Sequence, residues 1–125
     1  MFHAISTASA PQPAGTYSQA IAAGPFVFLS GQGPFDKDSN RVGETFADQV
    51  RQTFRNLDEV AKAAGGSLKD AVRYSVYLKT LDDFEEFNTV AAEFLTEPLP
   101  ARTTIQANLR GFDVELDAIL MLPAD

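Results

Sequence analysis

Three residues in the last quarter of the chain have the types and spacing to do chemistry: Arg102, Glu115 and Asp117. Arg102 sits early in the extended stretch Pro98-Leu99-Pro100-Ala101-Arg102-Thr103-Thr104-Ile105-Gln106-Ala107-Asn108-Leu109. The prolines hold its entry out of the helical region. Arginine offers a planar fork of donors that grips a carboxylate in a fixed orientation, which lysine cannot do. Read with a period of two, Arg102, Thr104, Gln106 and Asn108 share one face, and Thr103, Ile105, Ala107 and Leu109 share the other, which suits a core. The following run, Val114 to Leu122, puts Val114, Leu116, Ala118, Leu120 and Leu122 on one side and Glu115, Asp117, Ile119 and Met121 on the other. Strands sharing one sheet would then present Arg102, Glu115 and Asp117 on a single surface, an anion grip beside carboxylates able to move a proton. The plain alternative is a cross-strand ion pair, worth ~0.2–1 kcal/mol.

The composition narrows what that surface can do. The chain has 125 residues, no cysteine and a single histidine, His3. Thiolate nucleophiles, thiolate metal sites and histidine-based triads are therefore excluded. A formal charge of −7 argues against a broad contact with a phosphate backbone, so no nucleic acid is expected as partner. No apolar run approaches the ~18 residues that span a bilayer, and the N-terminus lacks a signal-peptide pattern, so we expect a cytoplasmic protein. The length fits one domain, residues 1–125, with one core.

The elements that must position the chemistry follow from periodicity and turn residues. Phe2 to Ser6 fits a short strand, and Ser9 to Gly15 is a Pro- and Gly-containing loop. Tyr17 to Ala23 and Phe26 to Ser30 form an expected hairpin around Gly24-Pro25, closed by Gly31-Gln32-Gly33-Pro34. Thr45 is the expected N-cap of an amphipathic helix that buries Phe46, Val50, Phe54, Leu57 and Val60 and stops at Gly65-Gly66. A strand over Ala71 to Lys79 precedes a second helix from about Leu81, whose stripe carries Phe84, Phe87, Asn88, Ala91 and Leu95. The result is an α+β domain: a single mixed sheet with two helices packed on one face. We expect Val27, Leu29, Val72, Val76, Ile105, Leu116 and Leu120 to face the helices. The opposite face would mix Phe26, Phe28, Tyr77 and Ile119 with Arg73, Arg102 and Glu115, a composition that suits a subunit interface with a site in it.

Five fragments, in this order, carry a family likeness: Gly15-Thr16-Tyr17-Ser18-Gln19-Ala20, Phe28-Leu29-Ser30-Gly31-Gln32-Gly33-Pro34, Ala63-Ala64-Gly65-Gly66, Asp83-Phe84-Glu85-Glu86-Phe87-Asn88 and Pro100-Ala101-Arg102-Thr103-Thr104. Over nearly its whole length the chain resembles the RidA (YjgF/YER057c/UK114) family. The resemblance implies a chorismate-mutase-like (YjgF-like) fold and a homotrimer with sites at subunit interfaces. It also implies cofactor-free and metal-free hydrolysis of reactive enamine/imine intermediates bearing a carboxylate, such as 2-aminoacrylate, to 2-keto acids and ammonia. By motif position the family's carboxylate-binding arginine falls on Arg102, its water-holding glutamate on Glu115, with Asp117 as the other possible match, and its pocket-lining residues on Tyr17, Ser30 and Asn88. Thr104 occupies a substrate-side position where many members have cysteine, and Thr16 stands where proline is usual. The alternative within the same fold is a non-catalytic ligand-binding trimer or an RNA-acting relative.

Overall fold

The computed structural model describes residues 1–123. Six strands form one sheet in the order β1-β2-β3-β6-β4-β5, and two helices cover one of its faces. The strands are β1 (Phe2–Ile5), β2 (Ala20–Ala23), β3 (Phe26–Gln32), β4 (Ala71–Leu78), β5 (Ala101–Gln106) and β6 (Val114–Met121). The helices are α1 (Phe46–Ala63) and α2 (Phe84–Ala91). All neighbours are antiparallel except β4 and β5, whose parallel pairing is made possible by the α2 crossover. No described helix is long and apolar enough to cross a membrane.

The helices form where their caps and periodicity put them. Thr45 accepts a hydrogen bond from the Asp48 N–H and opens α1, while Gly65 beyond its end takes a positive φ of 95° that glycine adopts without strain. Val50, Phe54, Leu57 and Val60 of α1 and Phe87 and Val90 of α2 are buried against Val27, Leu29, Val76, Leu116 and Leu120 of the sheet. Phe54 is the hub: its ring stacks on Phe94 at 4.9 Å and on Phe87 at 6.0 Å, and meets Tyr74 at 6.2 Å. Burying a phenylalanine side chain contributes about 1.5–3 kcal/mol, so this aromatic cluster fixes how α2 sits on β4.

Several boundaries and two faces differ from the expectations. β2 begins at Ala20 rather than Tyr17, because the buried Gln19 side chain is bonded to the preceding loop: its Nε2 donates to the carbonyls of Thr7 and Pro11, and its Oε1 accepts from the Thr7 N–H. Leu81–Asp83 form a 3-10 turn capped by Thr80, and α2 proper starts at Phe84. β4 carries a register shift between Ala71 and Arg73, so Val72 turns outward, 44% exposed, while Tyr74, Val76 and Leu78 of the same alternating set stay in the core. β5 ends at Gln106, short of Leu109, and its faces are the reverse of those expected. Arg102 pairs across from Tyr74 and Thr104 from Val76, both core residues, so Arg102 lies on the helix side. Ile105, across from Tyr77, lies on the open side and is 47% exposed. β5 is the edge strand, and the helix layer there consists of the rings of α2, which can cover an arginine stem as readily as an isoleucine.

The helix-free face carries Phe26, Phe28 and Met121, all exposed, with Ile105, Tyr77 and Ile119 beside them. This is the mixed apolar and polar surface expected from the sequence, less Arg102.

Candidate active site

The expected site residues fall into two groups on opposite faces of the sheet. Arg102 and Glu115 were expected on one surface; they are not. By register they lie two strands and three residues apart, about 14 Å in the plane of the sheet, with their side chains on opposite sides. Parallel strands in register present paired residues to the same face, and the alternation along β4 puts Tyr74 (beside Arg102) and Tyr77 (beside Glu115) on different ones.

The first group is built around Arg102. One guanidinium nitrogen, Nη1, donates to Asn88 Oδ1 at 2.7 Å and approaches Tyr74 Oη at 3.5 Å. The guanidinium carbon stands 5.3 Å from the centre of the Phe84 ring and 5.5 Å from that of Phe87. Phe84, Phe87 and Asn88 can all reach it because a spacing of three to four residues puts them on one helix face. Among the described residues no carboxylate pairs with Arg102, and its Nε and Nη2 donate to none of them. Its head opens into a hollow lined by Tyr74, Leu95, Leu99 and Pro100. A cation held by an amide and two rings, with donors to spare, is arranged to receive an anion. Thr104, two residues on along the same face, has its hydroxyl buried with no hydrogen-bond partner.

The second group is built around Glu115 on the open face. Tyr17, Ser30, Gly31 and Glu115 line one shallow hollow at the ends of β3 and β6. The register shift between Leu29 and Gln32 brings Gly31 against the carboxylate, and a Cβ at residue 31 would stand 2.7 Å from Glu115 Oε2. Tyr17 is exposed, and its hydroxyl accepts from the Ala14 N–H at 3.0 Å. Ser30 Oγ donates to the Ser18 carbonyl at 2.6 Å, so this hydroxyl holds the loop before it reaches any ligand. Burial pushes the Glu115 carboxyl above the usual carboxylate range, and the charge of Asp117 two residues away adds to the shift. Asp117 itself accepts from the Tyr77 hydroxyl at 3.2 Å, and it lines neither hollow. Of the two carboxylates left open by the sequence, Glu115 is the one in the hollow. A carboxylate that is partly desolvated and can approach water is a reasonable general base.

Sequence reasoning passed over three supports: Tyr74 behind Arg102, the rings of Phe84 and Phe87 beneath it, and the buried amides of Gln49 and Asn56. The helix periodicity already placed Phe84, Phe87 and Asn88 together. Only the strand-face reversal hid their relation to Arg102. Among the described residues no cluster of potential metal ligands occurs.

The chain is thus a small sheet-and-two-helix domain with an anion-receptive arginine on one face and a partly buried glutamate on the other. The family described as Endoribonuclease L-PSP matches residues 7–122. The crystal structure of RidA from an Antarctic Psychrobacter species is 41% identical, superposes with a TM-score of 0.90, and the match covers 96% of this chain and 99% of that one. The chain belongs to this L-PSP/RidA family, and its fold is the YjgF/RidA fold. The 2-iminobutanoate/2-iminopropanoate deaminase of Dermatophagoides farinae is 37% identical over 121 residues, 94% of either chain. The crystal structure of E. coli TdcF with bound serine is 30% identical, with a TM-score of 0.89 over 97% of this chain and 99% of that one. Other relatives, including one from Pyrococcus horikoshii, carry only the generic name RutC family protein.

Proposed function

We propose that this protein hydrolyses 2-imino acids and their enamine tautomers to 2-keto acids and ammonia, as a homotrimer in which Arg102 of one copy meets Glu115 of the next. The observation that carries the reading is Arg102: a guanidinium braced by Asn88, Phe84 and Phe87, with no carboxylate paired to it among the described residues. The deaminase name of one relative and the serine bound to another, a ligand with an amino-acid carboxylate, agree with it.

In this mechanism Arg102 grips the substrate carboxylate through two parallel hydrogen bonds and fixes the plane of the neighbouring C=N bond. Glu115 orients a water and takes its proton as the oxygen adds to the imine carbon. Glu115 then returns that proton to the nitrogen, which leaves as ammonia as the new hydroxyl gives up its own proton and the carbon–oxygen bond becomes the keto group. Tyr17, Ser30, Asn88 and the backbone at Thr104 line the path. Because an iminium carbon is already electrophilic, the step needs positioning more than activation.

The two-faced geometry supports this subunit arrangement. A single chain cannot bring Arg102 to Glu115, whereas the open face of a second copy laid against the β5 edge of the first can. That face exposes Phe26, Phe28, Ile105 and Met121, an apolar area of the kind that subunits cover. The family's ribonuclease description supports RNA as a second substrate class, but a charge of −7 opposes it. The test is release of ammonia and keto acid from imines made in situ by an amino-acid oxidase. Acceleration over buffer that is lost in Arg102→Ala supports the reading, and no acceleration across a range of imines would overturn it.

A further inference from the structure

A second cavity, of about 270 Å³, adjoins the Glu115 hollow and shares Tyr17, Gly31 and Glu115 with it. Its apolar lining is Pro11, Pro13, Ala14, Phe35 and Phe112, its uncharged polar lining includes Gln12, Gln32 and Ser39, and Glu115 is the only charged residue among the described residues that line it. Phe35 and Phe112 meet edge to face at 5.2 Å. Gly33 leaves room for that contact, since a Cβ there would stand 2.9 Å from the Phe35 ring. Both aromatic loops are tied to α1 by buried amides. Asn56 Nδ2 donates to the carbonyls of Gly33 and Phe35, at 3.0 and 2.7 Å. Gln49 Nε2 donates to Asp113 Oδ2 and its Oε1 accepts from the Asp113 N–H, which fixes the loop carrying Phe112. Buried polar side chains are retained only where they are satisfied, and here their partners are the two loops that carry the aromatic wall of the cavity. The polar groups of Gln19, which also lines it, are consumed by the Thr7 and Pro11 backbone.

We propose that this cavity receives the substrate's side chain and selects 2-imino acids with apolar side chains of about four carbons or more, branched or aromatic. The inference rests on the deaminase reading for the placement of the reacting carbon at Glu115. The volume is sufficient, because an apolar cavity of about 150 Å³ already accepts benzene. A methyl group leaves most of such a space unfilled, and each methylene that a pocket gains in contact changes kcat/KM by about tenfold or more.

The test compares imines generated from alanine, 2-aminobutyrate, leucine and phenylalanine, in the wild type and in Phe112→Ala, alongside calorimetric titration with pyruvate and 4-methyl-2-oxopentanoate. Expected is a kcat/KM for the leucine-derived imine at least tenfold above that for the alanine-derived one. Phe112→Ala should reduce that ratio several-fold by weakening the larger substrates while leaving the alanine-derived imine within about twofold. Phe35→Leu, which trims the same wall more gently, gives the same direction should Phe112→Ala fold poorly. Wild-type preference for the alanine-derived imine, or none, would overturn the inference while leaving the deaminase reading intact. Absence of any turnover would instead count against the deaminase reading. The cavity is then judged by titration: tighter binding of 4-methyl-2-oxopentanoate than of pyruvate supports it, and equal binding overturns it.

Discussion

Gly31→Ala isolates the role of Glu115 without touching either the carboxylate or the arginine. The added Cβ would lie 2.7 Å from Glu115 Oε2, 3.1 Å from Cδ and 3.4 Å from Cγ. Contacts below 3.0 Å are not tolerated, so something must withdraw, and the carboxylate is the free end of a flexible side chain. A shift of about 1 Å restores ordinary van der Waals separation at an off-rotamer cost of about 0.5–1.5 kcal/mol. Residue 31 lies outside the left-handed region, so its backbone accepts alanine without strain. Stability should therefore fall by no more than about 1.5 kcal/mol. Catalysis should suffer more, because a 1 Å misplacement of a group that orients the attacking water costs about a hundredfold, or about 2.7 kcal/mol of barrier. The loss should appear in kcat with KM nearly unchanged, since Arg102 still holds the substrate carboxylate. Steady-state imine hydrolysis and thermal melting read the two effects separately. A folded Gly31→Ala protein with wild-type kcat would refute the assignment of the water to Glu115.

Other substitutions test the remaining parts. Arg102→Lys should lose activity nearly as badly as Arg102→Ala, about ten- to a hundredfold in kcat/KM, because one ammonium cannot reach Asn88 and still present two planar donors to the substrate; retention of activity in the lysine variant would show that charge alone suffices. Asp117→Asn should move the acidic limb of the kcat/KM profile to lower pH. Glu115 works ionised, activity falls as pH drops through its raised pKa, and the variant removes the like charge that helps raise it. Burial, the larger cause, is untouched, so the limb should stay above the usual carboxylate range; an unmoved limb would separate Asp117 from the base. Thr104→Val should stabilise the fold by about 1 kcal/mol in thermal melting, by removing a buried hydroxyl with no partner, and should leave KM within a few-fold. A large rise in KM would mean that this hydroxyl does reach the substrate.

Most of the fold was legible because its signals are local. Thr45, the stripe from Phe46 to Val60, and the alternation of β6 each name their element and its buried side without knowledge of the rest. What was not legible depends on relations between elements. The period of two in β5 sorts Arg102 from Ile105 correctly, but which set faces the helices is decided by parallel pairing with β4, where Arg102 stands across from the core residue Tyr74. A one-residue slip reverses every side chain of a strand. The same error placed Arg102 and Glu115 on one surface. Tyr17, Ser30 and Glu115 do converge as expected, as do Arg102 and Asn88. The aromatic cavity escaped notice because Phe35 and Phe112 lie in loops without periodicity, tied to α1 by Asn56 and Gln49 at positions that read as ordinary polar residues of a helix.

Subunit mixing tests the shared site most directly. Arg102→Ala and Glu115→Gln should each be nearly inactive as pure assemblies. Unfolded together in equal amounts and refolded, they should form trimers in which some interfaces join the intact Arg102 of one chain to the intact Glu115 of another. Random assembly makes about one directed interface in four competent, so the mixture should recover roughly a quarter of wild-type activity. Recovery at that level, absent from the separately refolded variants, is the predicted result. A mixture that refolds to trimers yet stays as inactive as its parts would place Arg102 and Glu115 in the same site of the same chain, or in no shared site, and would contradict the account.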